Sequence, residues 1–122
     1  MPTISFEPQT RQANGKPYAF VPLSGTLDES NLIDISEKID PLVRSDHAYL
    51  VIDLGAVDLV SSHAVTYLEK LYRELSAVEK QLAFIRASSE LREILEFVGL
   101  AKLIATFDAE EKFIEAIARK EI

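Results

Sequence analysis

Only a few side chains in this sequence stand where their chemistry invites a role. Ser61-Ser62-His63 sets two hydroxyls beside an imidazole. Asp28 follows a turn at Gly25, and Asp53 ends an apolar run. A serine and a histidine adjacent in sequence are not thereby a nucleophile and its base, because that pair is assembled by the fold. No Gly-x-Ser-x-Gly elbow is present. His47, the other histidine, is expected to be exposed in the turn before the central strand. Two histidines and no cysteine offer little for a catalytic metal. The glycines at 15, 25, 55 and 99 match neither Gly-x-x-x-x-Gly-Lys nor Gly-x-Gly-x-x-Gly, so no phosphate cradle is expected. The chain is therefore read as no enzyme, with no metal and no cofactor of its own. Asp28 is expected to cap a helix, Asp53 to accept backbone N–H groups from the loop that follows it, and His63 to lie on the surface.

Composition narrows the setting. A length of 122 residues suits one domain spanning 1–122, with 1–17 an irregular N-terminal strand and turn. Hydrophobic residues at 48% and charged residues at 27% exclude wholesale disorder. A net charge of −7 argues against nucleic acid and anionic lipid as partners. The absence of cysteine, of a signal-like N-terminus and of an apolar run near membrane-spanning length fits a cytoplasmic protein without direct membrane insertion.

The elements that must position these residues follow from periodicity. Ile4 and Phe6 suggest a short strand. Asn14-Gly15 suits a tight hairpin, and Tyr18–Leu23 reads as a strand whose Pro22 suggests an edge or a terminus. Ser24-Gly25-Thr26-Leu27-Asp28 breaks the pattern. Leu32, Ile35, Ile39, Leu42 and Val43 then share one helical face. Tyr49–Leu54 is nearly continuous in apolar residues, as in a strand covered on both sides. A second helix from Ser62 buries Ala64, Leu68, Leu71, Tyr72 and Leu75. Gln81–Arg86 is a strand. A third helix, capped by Ser88 or Ser89, buries Leu91, Ile94, Leu95 and Val98 and stops at Gly99. Leu103–Phe107 is the last strand, and Asp108 with Glu111 forms a capping-box pattern for a fourth helix. Phe84, Phe97, Phe107 and Phe113 are expected in the core. Alternating strands and helices imply an α/β fold: a small mixed sheet of four to five strands with about four helices. The Gly25–Asp28 and Ser61–His63 junctions should then share the carboxyl edge of the sheet.

This order resembles the STAS domain, the fold of bacterial anti-sigma factor antagonists. Ser24-Gly25-Thr26-Leu27-Asp28 is similar to the family's Gly-x-Leu/Ile-Asp turn, and Val51-Ile52-Asp53-Leu54 to its central strand. Leu59-Val60-Ser61-Ser62-His63 falls where the family carries Asp-Ser-Ser/Ala-Gly, with Val60 and His63 in place of the flanking Asp and Gly. Leu95–Leu103 resembles its Leu-x-x-x-Gly-Leu segment.

The resemblance implies a signalling module that regulates transcription through protein–protein contact. Its partner is an anti-sigma factor that is also a serine kinase, with a phosphatase among the expected partners. The partner surface comprises Gly25, Thr26, Leu27, Asp28, Val60, Ser61, Ser62 and His63. Ser62 is the expected phosphorylation site, and Ser61 the second candidate. Val60 and His63 favour an alternative, a constitutive scaffold without phospho-control. A further alternative is a soluble STAS subunit of a lipid or anion transporter.

Overall fold

In the computed structural model, which describes residues 6–122, five strands form one sheet in the order β1-β2-β3-β4-β5. β1 (Gln9–Ala13) runs antiparallel to β2 (Lys16–Leu27). β2, β3 (Tyr49–Val60), β4 (Gln81–Ile85) and β5 (Ala105–Phe107) are parallel to one another. Helices α1 (Leu32–Ile39), α2 (Ser62–Ala77) and α3 (Ser89–Phe97) fill the three crossovers, and α4 (Glu110–Ala118) follows β5. The mixed sheet and four helices are those expected.

Alternation along the strands builds two cores. Leu50, Ile52 and Leu54 of β3, with Ala19, Val21 and Leu23 of β2 and Leu82 and Phe84 of β4, meet the buried stripes of α1, α2 and α3. Tyr49 and Val51, with Tyr18, Phe20, Ala83 and Ile85, meet Phe113 and Ile117 of α4 on the other face. The Phe113 ring lies edge-on to Tyr18, Tyr49 and Phe107, with centroids 5.0, 5.6 and 6.0 Å away. Glu110 closes this side: it accepts from the Tyr18 hydroxyl and from Arg11 Nη1 at 2.6 and 2.7 Å.

Several expectations need correction. Ile4 lies outside the described residues, and Phe6 is buried but not in a strand; the first strand is the polar Gln9–Ala13. Asn14 and Gly15, at φ 53° and 79°, form its hairpin turn with β2. β1 covers β2 only as far as Phe20, so the expected edge is confined to the stretch from Val21 onward, Pro22 included, which among the described residues lies along β3 alone. The first helix is shorter than its apolar stripe, because Asp40-Pro41 turns the chain into a 3-10 segment, Asp40–Arg44. Phe97 and Val98 are exposed, since α3 ends there and Gly99, at φ 85°, turns the chain back. The capping box does not form: Ala109 is the N-cap, and Asp108 pairs with Arg92. The last strand begins at Ala105, not Leu103. His47 is half-buried, its ring held between Thr10 Oγ1 at 2.9 Å and Ser45 Oγ at 2.6 Å.

Burial, and then the hydrogen bond to Glu110, pushes the Tyr18 hydroxyl up to about 12. A phenol raised above its unfolded value gives stability that is whole below about pH 10 and lost as pH climbs through the folded value. Denaturant unfolding followed from neutral pH to pH 12 should therefore show a midpoint falling above about pH 10. Tyr18→Phe should shallow that fall, leaving the part due to Tyr67, which burial and Asp40 also raise. Identical curves for the two proteins would contradict this arrangement.

Candidate functional site

β2 and β3 are each 12 residues long and continue as a pair beyond the last rung of β3 with β4, at Asp53 and Ile85. Asp53 therefore lies within β3, not at its end, and the expected break at Ser24–Asp28 is, as far as Leu27, the last stretch of β2, with Asp28 just beyond it. Register shifts between Pro22 and Ser24 and between Gly25 and Thr26 each give β3 an extra residue. Such bulges increase local twist. Gly25, beside the second shift, has φ 75°, a conformation costly for other residues.

The ladder ends on Leu27 opposite Val60. Ser61 N then donates to Leu27 O at 2.8 Å, which places the start of α2 against the end of β2. The two junctions thus meet on one edge, as expected. Ser61 is the N-cap: its Oγ accepts from Ala64 N at 3.2 Å. Ser62 is the first residue of α2, exposed, and its hydroxyl makes no side-chain hydrogen bond among the described residues. His63 is exposed, and its Nδ1 lies 3.5 Å from Glu29 Oε2, across the gap between the junctions.

Asp28 does not cap α1. Its Oδ1 accepts from Ser30 N at 2.9 Å and from Ser30 Oγ, and these bonds hold the carboxyl below the usual range. Asn31 organises the loop instead. It is buried; Nδ2 donates to Thr26 O at 2.8 Å and Oδ1 accepts from Asp28 N at 3.1 Å. Leu27 and Val60, both counted in the expected partner surface, are turned into the core. The accessible face at this edge comprises Thr26, Glu29, Ser30, Ser62 and His63, with Ile33 and Leu59 as exposed apolar neighbours. Nothing in the spacing of Ile33 or Leu59 distinguishes them from core residues.

Asp53 accepts Gly55 N at 2.9 Å, as expected, but also takes an unforeseen partner, Arg86. Arg86 Nε donates to Oδ1 at 3.0 Å and Nη2 to Oδ2. Arg86 has φ 59°, and its side chain crosses Gly55 so closely that a Cβ there would lie 2.9 Å from Nε. The pair borders a groove of about 550 Å³ with Arg11, Phe20, Glu110 and Glu111. The described residues contain no cluster of three or more His, Asp or Glu able to hold a metal ion.

The STAS domain family model matches residues 7–113. Among solved structures, the chain is similar to the Bacillus cell fate determinant SpoIIAA in its phosphorylated form, with TM-score 0.70 and 20% identity over 93% of this chain and 99% of that one. An anti-sigma factor antagonist from Mycobacterium paratuberculosis gives TM-score 0.74 and 22% identity over 93% and 95%. A putative anti-sigma factor antagonist from Thermotoga maritima gives TM-score 0.78 and 11% identity over 90% and 93%. No curated protein sequence matches the chain.

The two serines separate experimentally. Ser61→Ala removes the cap and should cost about 0.5–2 kcal/mol in urea unfolding. Ser62→Ala should stay within about 0.5 kcal/mol of the parent. Equal losses, or a larger loss at Ser62, would contradict the assignment of the cap to Ser61.

Proposed function

The chain belongs to the STAS domain family, and from that premise we propose that it is a regulatory binding module of the anti-sigma factor antagonist kind, switched by phosphorylation of Ser62. The single observation that carries this reading is the separation of roles at the start of α2: Ser61 caps the helix, while Ser62 is exposed beside it. A phosphate on Ser62 would sit at the positive end of the helix dipole without displacing the cap. The fold would tolerate it. The surface around it would not bind as before, because docking on exposed Ile33 and Leu59 requires water to be expelled, and a dianion of about −1.5 to −2 charge on the same edge resists desolvation. That a similar fold has a phosphorylated form, in the Bacillus protein, supports the reading.

The partner is a serine kinase that also serves as the anti-sigma factor. It supplies nucleotide and metal, this chain only the acceptor hydroxyl, and a phosphatase restores the docking state. The action is transcriptional control in the bacterial cytoplasm; no helix among the described residues is long and apolar enough to cross a membrane. Docking the unmodified surface releases the sigma factor, and phosphorylation reverses this.

A second reading, constitutive scaffolding, is favoured by Val60. It packs into the core, so no carboxylate stands before the serine pair. His63, tied to Glu29, also places a side chain over the loop where the family has glycine.

Incubation with candidate serine kinases of the anti-sigma factor kind, followed by intact-mass analysis, decides between them. One phosphate should be added to the parent and to Ser61→Ala, and none to Ser62→Ala. Ser62→Asp should bind the kinase at least about tenfold more weakly with helix content unchanged, since aspartate is compatible with a helix start. Absence of phosphate on the parent, or undiminished binding by Ser62→Asp, would favour the scaffold.

A further inference from the structure

Apart from tyrosines, Asn31 and Asp53 are the only buried polar side chains among the described residues. Asn31 ties down the loop that leaves β2. Asp53 stands where β3 parts from β4. Its rung with Ile85 is the last that those strands share, and from Leu54 to Val60 β3 has only β2 beside it among the described residues. The buried carboxylate is thus at the root of the two-stranded ribbon that leads to the serines.

Arg86, the first residue after β4, is built around that root. Its backbone is left-handed, at φ 59°, a conformation costly for a residue with a Cβ. Arg86 N donates to Phe107 O at 3.0 Å and fastens the turn to β5. The side chain reaches back to β3, where Nε donates to Asp53 Oδ1 at 3.0 Å and Nη2 to Oδ2, a two-pronged, charge-assisted contact. It also lies against Gly55: a Cβ there would come within 2.9 Å of Nε, 3.0 Å of Cζ and 3.1 Å of Nη2. Gly55 is not in the left-handed region, so backbone freedom does not account for it; its missing side chain admits the arginine. Asp53 Oδ1 accepts from Gly55 N at 2.9 Å as well, which joins arginine, carboxylate and ribbon backbone.

Without the guanidinium, Asp53 would be a buried charge left with a backbone donor alone, and admitting water relieves such a charge. Water enters where strand pairing is thinnest, which is the ribbon. The body of α2 is held separately, through Ala64, Leu68, Leu71 and Leu75 in the core. What the ribbon sets is where the start of α2 meets the Gly25–Asp28 junction, through Ser61 N and Leu27 O. We propose that Arg86 is a positioning residue for the serine edge: by clamping Asp53 and Gly55 at the root of the ribbon, it holds Ser61 and Ser62 against the Gly25–Asp28 junction without itself meeting a partner. The consequence for docking rests on the regulatory reading above; the clamp does not.

Native-state amide hydrogen exchange on the full chain tests this. Arg86→Met keeps the stem and removes the guanidinium, whereas Gly55→Ala keeps the guanidinium and leaves it no room. In both, the amides of Ala56–Val60 and Ser61 should exchange at least about tenfold faster, while those of Leu68–Leu75 and of the Phe97–Leu103 corner, at the opposite end of the sheet, keep the parent's rates. Arg86→Lys, which keeps the charge but not the two-pronged contact, should fall between. If Arg86→Met does not fold, Arg86→Met with Asp53→Asn, which leaves no unpaired charge, replaces it with the same expectation. A serine kinase of the anti-sigma factor kind that binds the parent should bind Arg86→Met and Gly55→Ala roughly fivefold more weakly. A uniform rise at all amides would make Arg86 an ordinary stabilising residue and overturn the proposal, as would a ribbon exchanging at the parent's rate. Undiminished kinase binding by a variant with a loosened ribbon would also overturn it. A parent that binds no such kinase contradicts the regulatory reading instead, and the exchange rates still decide the clamp.

Discussion

The hydrogen bond from Ser61 N to Leu27 O closes the pairing of β2 with β3, and the serine surface depends on that pairing. β4 leaves the sheet at Ile85, so among the described residues the last seven residues of β3 have β2 as their sole strand neighbour. This ribbon carries Thr26 on one strand, leads from it directly into Asp28, and delivers Ser61 and Ser62 from the other. Its bulges, the left-handed backbone at Gly25 and the two bonds of Asn31 determine where it ends. A buried amide that satisfies one donor and one acceptor of the loop is difficult to replace, because any apolar substitute leaves both groups unpaired, at about 1–3 kcal/mol each. The serine is thus held by backbone geometry and left chemically free.

The α/β order was legible because strands and helices announce themselves by different periods, and the Tyr49–Leu54 run and the α2 stripe are unambiguous. What eluded sequence reasoning has physical causes. Gln9–Ala13 has no apolar alternation, because only its last residue is buried. The length of β2 and β3 was hidden by Gly25 and Gly55, which read as breaks but serve a bulge and the passage of Arg86. Asp108 has the spacing of a capping box, yet Arg92, sixteen residues away in sequence, claims it. Phe97 has the residue type of a core position, but it is left exposed at the end of α3.

The serine edge was legible in part. Adjacency of the Gly25 and Ser61 junctions follows from parallel strands sharing a carboxyl edge. Which serine caps the helix does not: Ser61-Ser62 permits either, and the choice rests on where the β2–β3 ladder stops. The departures Val60 and His63 have separate consequences. Val60 adds to the core and says little to a partner directly. His63 brings its Nδ1 to 3.5 Å from Glu29 Oε2 and so places a side chain across the two junctions at the surface, where a glycine would place none.

If the serine edge is the docking face, the kinase partner must leave its footprint there and nowhere else. Amide hydrogen exchange of the chain, free and saturated with that kinase, measures this directly. Slowed exchange is expected across Asp28–Ile33 and Leu59–Val65, with the groove at Arg11, Arg86 and Glu110 unchanged. Protection confined to that groove, or to the Phe97–Leu103 corner, with the serine edge unaltered, would contradict the central claim.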